Sequence, residues 1–162
     1  MNLAVTAPGW LVLLLVALLV VAAVQDAWRL RISNSICAAI LIAAVVAAII
    51  AGPRLALWQN MVLVIGLLAV GTPLFAAGRM GGGDVKLIAA CSAWFNLASG
   101  LLMLVCTLLT GGLLALIILG LRAFTWPDAI QSRAAILKAG SGIPYGVAIA
   151  TGTMLATSLK LA

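Results

Sequence analysis

The sequence predicts an all-α integral membrane protein, a bundle of about six transmembrane helices with both termini outside. A single membrane-embedded domain over residues 1–162 is expected. Three observations predict this. Hydrophobic residues make up 66% of the chain and charged residues 7%, against roughly 45–50% and 25% in soluble domains. The apolar residues fall into uncharged runs close to the ~20 residues that cross a bilayer. The basic residues gather in the connections on one side. This composition excludes a soluble enzyme, a disordered tail and a nucleic-acid module.

The runs can be taken in order. Residues 1–25 are uncharged, with an apolar core from Trp10. No Lys or Arg precedes that core, so the basic start of a secretory signal is missing and a retained helix is expected. A second run covers 35–51 and closes at Gly52 and Pro53, and a third covers 57–76. Gly78, Gly81, Gly82 and Gly83 then break the chain. A short fourth segment, 85–97, leads through Ser99 and Gly100 to a fifth at 101–121. The polar stretch 122–142 separates these from a last span at 143–159. Small residues inside the spans permit close helix packing.

Placing the N-terminus outside puts residues 26–34, 77–86 and 122–142 on the cytoplasmic side. Those loops hold Arg29, Arg31, Arg79, Lys86, Arg122, Arg133 and Lys138, whereas Arg54 and Lys160 fall outside. Seven against two is a positive-inside bias. Trp10, Trp28, Trp58, Trp94 and Trp126 all fall near span ends, where an interfacial aromatic belt is expected.

The chemistry available is narrow. There is no His, which removes Ser-His and Cys-His couples and imidazole metal ligands. Cys37, Cys91 and Cys106 form no CxxC pair and read as small buried hydrophobes. Asp26, Asp84 and Asp128 are the three acidic residues. Asp128 follows Pro127 and reads as a loop residue. Asp26 ends the first span and Asp84 opens the fourth, on the same predicted membrane face. Asp26 can be no more than a helix-end charge beside Arg29, and Asp84 no more than an N-cap. Two carboxylates and a water also suffice for hydrolysis: one ionised carboxylate deprotonates water while a protonated partner polarises the scissile carbonyl. No metal or cofactor is needed. Helix dipoles favour the anion at Asp84, near an N-terminus, over Asp26, near a C-terminus. That expectation makes Asp84 the base and Asp26 the proton holder. The glycines before Asp84 would let the backbone approach an extended peptide.

The run Gly81, Gly82, Gly83, Asp84, Val85, Lys86 resembles the GxGD motif of type IV prepilin peptidases. Asp26 with Arg31, Ile32, Ser33 and Asn34 resembles the family's first aspartate motif, and the stretch 143–149, with Pro144, Tyr145 and Gly146, resembles its last-helix pattern. Ser33 stands where the family usually has proline, which would weaken the turn after the first helix. The resemblance implies a catalytic pair, Asp26 and Asp84. It implies motif or substrate-positioning roles for Gly81, Gly82, Gly83, Lys86, Arg31, Asn34, Pro144, Tyr145 and Gly146. The chain begins with the helix that leads to Asp26, and so looks like the short peptidases of tight-adherence (Flp) pilus systems, with no methyltransferase activity expected. The partners so implied are a membrane-inserted pilin precursor and the lipid bilayer, with no nucleic acid. The implied location is the bacterial inner membrane, with cleavage at its cytoplasmic face. Two alternatives remain open on the residues: a presenilin-like intramembrane protease, and a non-enzymatic small transporter or pilus-assembly protein.

Overall fold

The computed structural model describes residues 1–52, 54–123 and 142–159. Asp128, Trp126, Arg133, Lys138 and Lys160 lie outside the described residues. Among those described, the secondary structure is entirely helical: α1 (Leu3–Thr6), α2 (Gly9–Arg29), α3 (Asn34–Ala51), a 3₁₀ turn (Leu55–Leu57), α4 (Trp58–Ala76), α5 (Gly82–Ser92), α6 (Leu97–Arg122) and α7 (Tyr145–Ser158).

Four stretches are long and apolar enough to cross a membrane: α2, α3, α4 with its preceding turn, and α6. This is an all-α, multi-pass membrane protein. The fourth and sixth expected spans come out shorter. α5 has 11 residues and α7 has 14, about 16 and 21 Å of helix. The fourth segment ends at Ser92 because residues 93–96 turn the chain, with Asn96 Oδ1 accepting the Ser99 N–H at 2.8 Å to cap α6. α6 consequently starts at Leu97, four residues earlier than its apolar run.

Each long helix buries one stripe and leaves large apolar side chains exposed, as a lipid-facing helix requires. In α2 the buried stripe is Leu11, Leu15, Leu19, Ala22 and Asp26, the spacing of one helix face. α3 packs Cys37, Ile40, Ala43, Ala44 and Ala47 inward. α5 is nearly all buried from Val85 to Ser92. α7 presents Gly146, Ala148, Gly152 and Ala156 and lies close against α6: a Cβ on Gly152 would sit 2.5 Å from the Thr107 backbone nitrogen. Thr110 Oγ1 donates across to Ala148 O at 3.1 Å, tying the two helices.

One aromatic residue departs from the interfacial belt. Trp10, Trp28 and Trp58 are exposed, but Trp94 is fully buried and donates Nε1–H to Ile40 O at 3.2 Å. It follows α5, which lies inside the bundle, so the end of that segment is core. The Trp94 carbonyl in turn accepts the Leu3 and Ala4 amides, and Asn60 Nδ2 donates to Ala93 O and Met1 O, both at 2.9 Å. These bonds tie α1, α4 and the α5–α6 turn together at the end of the bundle away from Asp84. Cys37 and Cys91 are buried as expected, whereas Cys106 is only half-buried.

Candidate active site

Asp26 sits inside α2, one turn before its end, and is 4% exposed. The last buried position of the α2 stripe is therefore a carboxyl group rather than a hydrocarbon. Burying it demands a partner, and α7 supplies one. Pro144 precedes the first turn of α7, and the Gly146 N–H donates to Asp26 Oδ2 at 2.7 Å. The first amides of a helix have no partner within it, and their dipole suits an anion. Gly146 is required for the approach: a Cβ there would stand 2.8 Å from Asp26 Oδ2 and 3.0 Å from Asp26 Cβ.

Asp84 lies in the first turn of α5, after Gly81 at the N-cap. Asp84 is thus not itself the cap. The three glycines before it each face something different. A Cβ on Gly81 would meet Asp84 Oδ2 at 2.6 Å, one on Gly82 the Phe75 ring at 3.0 Å, and one on Gly83 Ile32 Cβ at 3.1 Å. The faces of all three glycines, expected to admit a peptide, thus meet the protein's own side chains. The motif brings α4 and the α2–α3 turn against the start of α5. Burial raises the Asp84 carboxyl to about 6, with the Asp26 charge adding to the rise and a backbone hydrogen bond at Gly81 opposing it.

Asp26 and Asp84 line one cavity of about 720 Å³. Its walls are Leu30 from the end of α2, Leu74 from α4, Ile88 from α5, Leu108 from α6, and Tyr145 and Ile149 from α7. Gly78 closes α4 with a left-handed φ of 68°, turning the chain so that residues 78–81 border the same space. Arg79 and Arg122 also line it. Sequence reasoning counted both only as loop charges, and no motif marks them. Among the described residues no group of three or more His, Cys, Asp or Glu could hold a metal.

Several residues expected near the site lie elsewhere. Lys86 and Asn34 do not line this cavity. Lys86 Nζ donates to Asn34 Oδ1 at 2.9 Å, and both border a separate apolar cleft between α3, α4 and α5. Two residues along a helix from Asp84 is about 200° around it, so Lys86 faces away from the carboxylate. Arg31 is exposed and does not line the cavity. Ser33 does not weaken its turn. Its φ of −69° matches the value proline would impose. Its N–H, which proline lacks, donates to Gln25 Oε1 at 2.8 Å, and its hydroxyl caps α3 through the Ser35 amide at 3.3 Å.

Fold and site together define a multi-pass membrane protein with two carboxylates from different helices in one cavity. The model of the type IV leader peptidase family matches residues 13–127, and the chain belongs to that family. The match spans both Asp26 and Asp84 and ends before Gly146. A peptidase activity follows from the family. Neither a curated protein nor a solved structure matches the chain.

Proposed function

We propose that this protein is a prepilin leader peptidase of the short Flp-pilus type. It cleaves between the basic leader and the apolar helix of a membrane-inserted pilin precursor. The observation that carries the reading is that Asp26 and Asp84, far apart in sequence, border a single cavity. The basic loops support a cytoplasmic position for that cavity in the bacterial inner membrane. The precursor's helix then lies in the bilayer beside the bundle, with its cleavage point level with the aspartates.

The helix-dipole expectation gave the charge to Asp84. The Gly146 amide on Asp26 and the raised Asp84 carboxyl support the reverse. Asp26, as the anion, takes a proton from water, and the water oxygen bonds to the scissile carbonyl carbon. Asp84 gives its proton to the carbonyl oxygen, producing a neutral gem-diol. On collapse the C–N bond breaks, Asp26 passes its proton to the leaving amine, and Asp84 recovers one from a diol hydroxyl. The pair ends as it began and titrates as a unit. Gly81, Tyr145 and Gly146 border this chemistry.

The test is co-expression with an Flp pilin precursor, following precursor size. Asp26→Asn and Asp84→Asn should each abolish processing at undiminished membrane abundance. Processing that survives both substitutions would discard the mechanism.

A further inference from the structure

The turn between α2 and α3 holds a side chain to which the reaction scheme assigns nothing. Two backbone bonds and one side-chain bond hold it. Leu30, in a left-handed conformation with φ 51°, donates its N–H to Asp26 O at 2.8 Å. The Ser33 N–H is held by Gln25 Oε1 at 2.8 Å. The Asn34 side chain accepts at Oδ1 from Lys86 Nζ at 2.9 Å. Ile32 projects from this braced turn.

Its surroundings are specific. A Cβ on Gly83 would lie 3.1 Å from Ile32 Cβ, and one on Gly146 would lie 2.7 Å from Ile32 Cδ1. Gly83 directly precedes Asp84, and Gly146 carries the amide that holds Asp26. One isoleucine therefore meets both helix N-termini on which the carboxylates depend. At each contact the facing residue has no side chain, so the Ile32 surface bears directly on backbone. Ile is also stiff at χ1, which suits a spacer.

We infer that Ile32 is a positioning residue: a wedge between the first turns of α5 and α7 that sets the spacing of Asp84 from Asp26. It rests on the two-aspartate reading. Removing the wedge lets the two glycine faces close or slide, and admits water beside both carboxyl groups. The reacting groups lose alignment, while the apolar cavity walls that hold the substrate stay in place. Misplacements of about 1 Å cost on the order of 100-fold in rate.

The test compares Ile32→Ala and Ile32→Val in the full chain, in detergent, at matched abundance, with two readouts. In precursor cleavage, Ile32→Ala lowers kcat on the order of 10- to 100-fold, with KM within about two-fold of the parent. Ile32→Val keeps both branches at Cβ and recovers kcat to within about three-fold. The second readout is infrared titration of the carboxyl groups, which is tractable because the chain has only three acidic side chains; Asp84→Asn identifies the band. The charged and titratable groups sharing the cavity with Asp84 are Asp26 from α2, Arg79 before α5, Arg122 from α6 and Tyr145 from α7. In Ile32→Ala the Asp84 titration moves down from about 6, as water enters and the coupling to Asp26 weakens.

An unmoved titration in Ile32→Ala overturns the proposal, as does an effect confined to KM. If Ile32→Ala does not accumulate, Ile32→Leu is read instead, with its branch moved from Cβ to Cγ. A kcat loss with a shifted titration in Ile32→Leu supports the wedge, and parental values in both readouts overturn it. A parent chain that cleaves no precursor, yet shows the titration shift in its variants, refutes the peptidase reading and upholds the wedge.

Discussion

A single methyl group added at Gly146 probes the link between α7 and Asp26. The Gly146 N–H donates to Asp26 Oδ2 at 2.7 Å. In Gly146→Ala the new Cβ would stand 2.7 Å from Ile32 Cδ1, 2.8 Å from Asp26 Oδ2 and 3.0 Å from Asp26 Cβ. The Ile32 methyl is a side-chain end and can swing away. Asp26 Cβ is fixed to the α2 backbone and cannot, so the carboxyl group or the start of α7 must shift, and the hydrogen bond is lost or stretched. A hydrogen bond to a charged group is worth about 1.5–3 kcal/mol, which corresponds to roughly 10- to 150-fold in rate. Gly112→Ala is the matched control. Gly112 is exposed on α6 with nothing within 4 Å of its new Cβ, so the substitution adds a methyl group without a new contact. The assay is kcat/KM for cleavage of a purified pilin precursor in detergent at equal enzyme concentration. Gly146→Ala should fall into the stated range and Gly112→Ala should match the parent. Gly146→Ala within about two-fold of the parent would refute the claim that this amide holds the reacting carboxylate.

Three further outcomes follow from the same geometry. Asp84 acts in its protonated form under the proposed scheme, and its carboxyl is raised to about 6; kcat/KM should therefore fall as pH rises through about 6, and a flat profile from pH 5 to 8 would contradict the assignment. Ser33→Pro loses the Gln25 bond but keeps a compatible φ, so thermal stability should change by less than about 1 kcal/mol. Gln25→Ala should cost about 1 kcal/mol in the parent and nothing in the Ser33→Pro background, as a double-mutant cycle would measure. Lys86→Gln should leave cleavage within about three-fold of the parent, because its amine is spent on exposed Asn34 rather than in the cavity; a loss near 100-fold would return Lys86 to substrate positioning.

Much of this was readable along the chain because the bilayer demands it. Backbone groups in lipid must be bonded within a helix, so uncharged apolar runs translate directly into α2, α3, α4 and α6. Scarcity made the carboxylates legible: with no Glu, any carboxylate chemistry falls on three aspartates. Asp26 even lies on the inward stripe with Leu11, Leu15, Leu19 and Ala22, a regularity of helical period. The shorter elements were harder to read. Hydropathy cannot tell a helix enclosed by protein from one facing lipid, since both are apolar. The expected fourth span, 85–97, therefore runs past the end of α5 at Ser92 and takes in Trp94, which is core.

The partners of each residue depended on contacts between helices. Composition and spacing define which segments are helical, which face of each is apolar, and which few residues can move protons. They do not define what meets across an interface. The proposed scheme reverses the expected aspartate roles because α7, more than a hundred residues beyond Asp26, places the Gly146 amide on that carboxylate. Lys86 left the site because the turn of α5 carries it to the face opposite Asp84. The three glycines proved to be contact surfaces for Asp84, Phe75 and Ile32. Helix formation is local and periodic, so one strand of sequence encodes it. The meeting of two carboxyl groups in one cavity is a property of how helices distant in sequence fit together, and it exists only once they are packed.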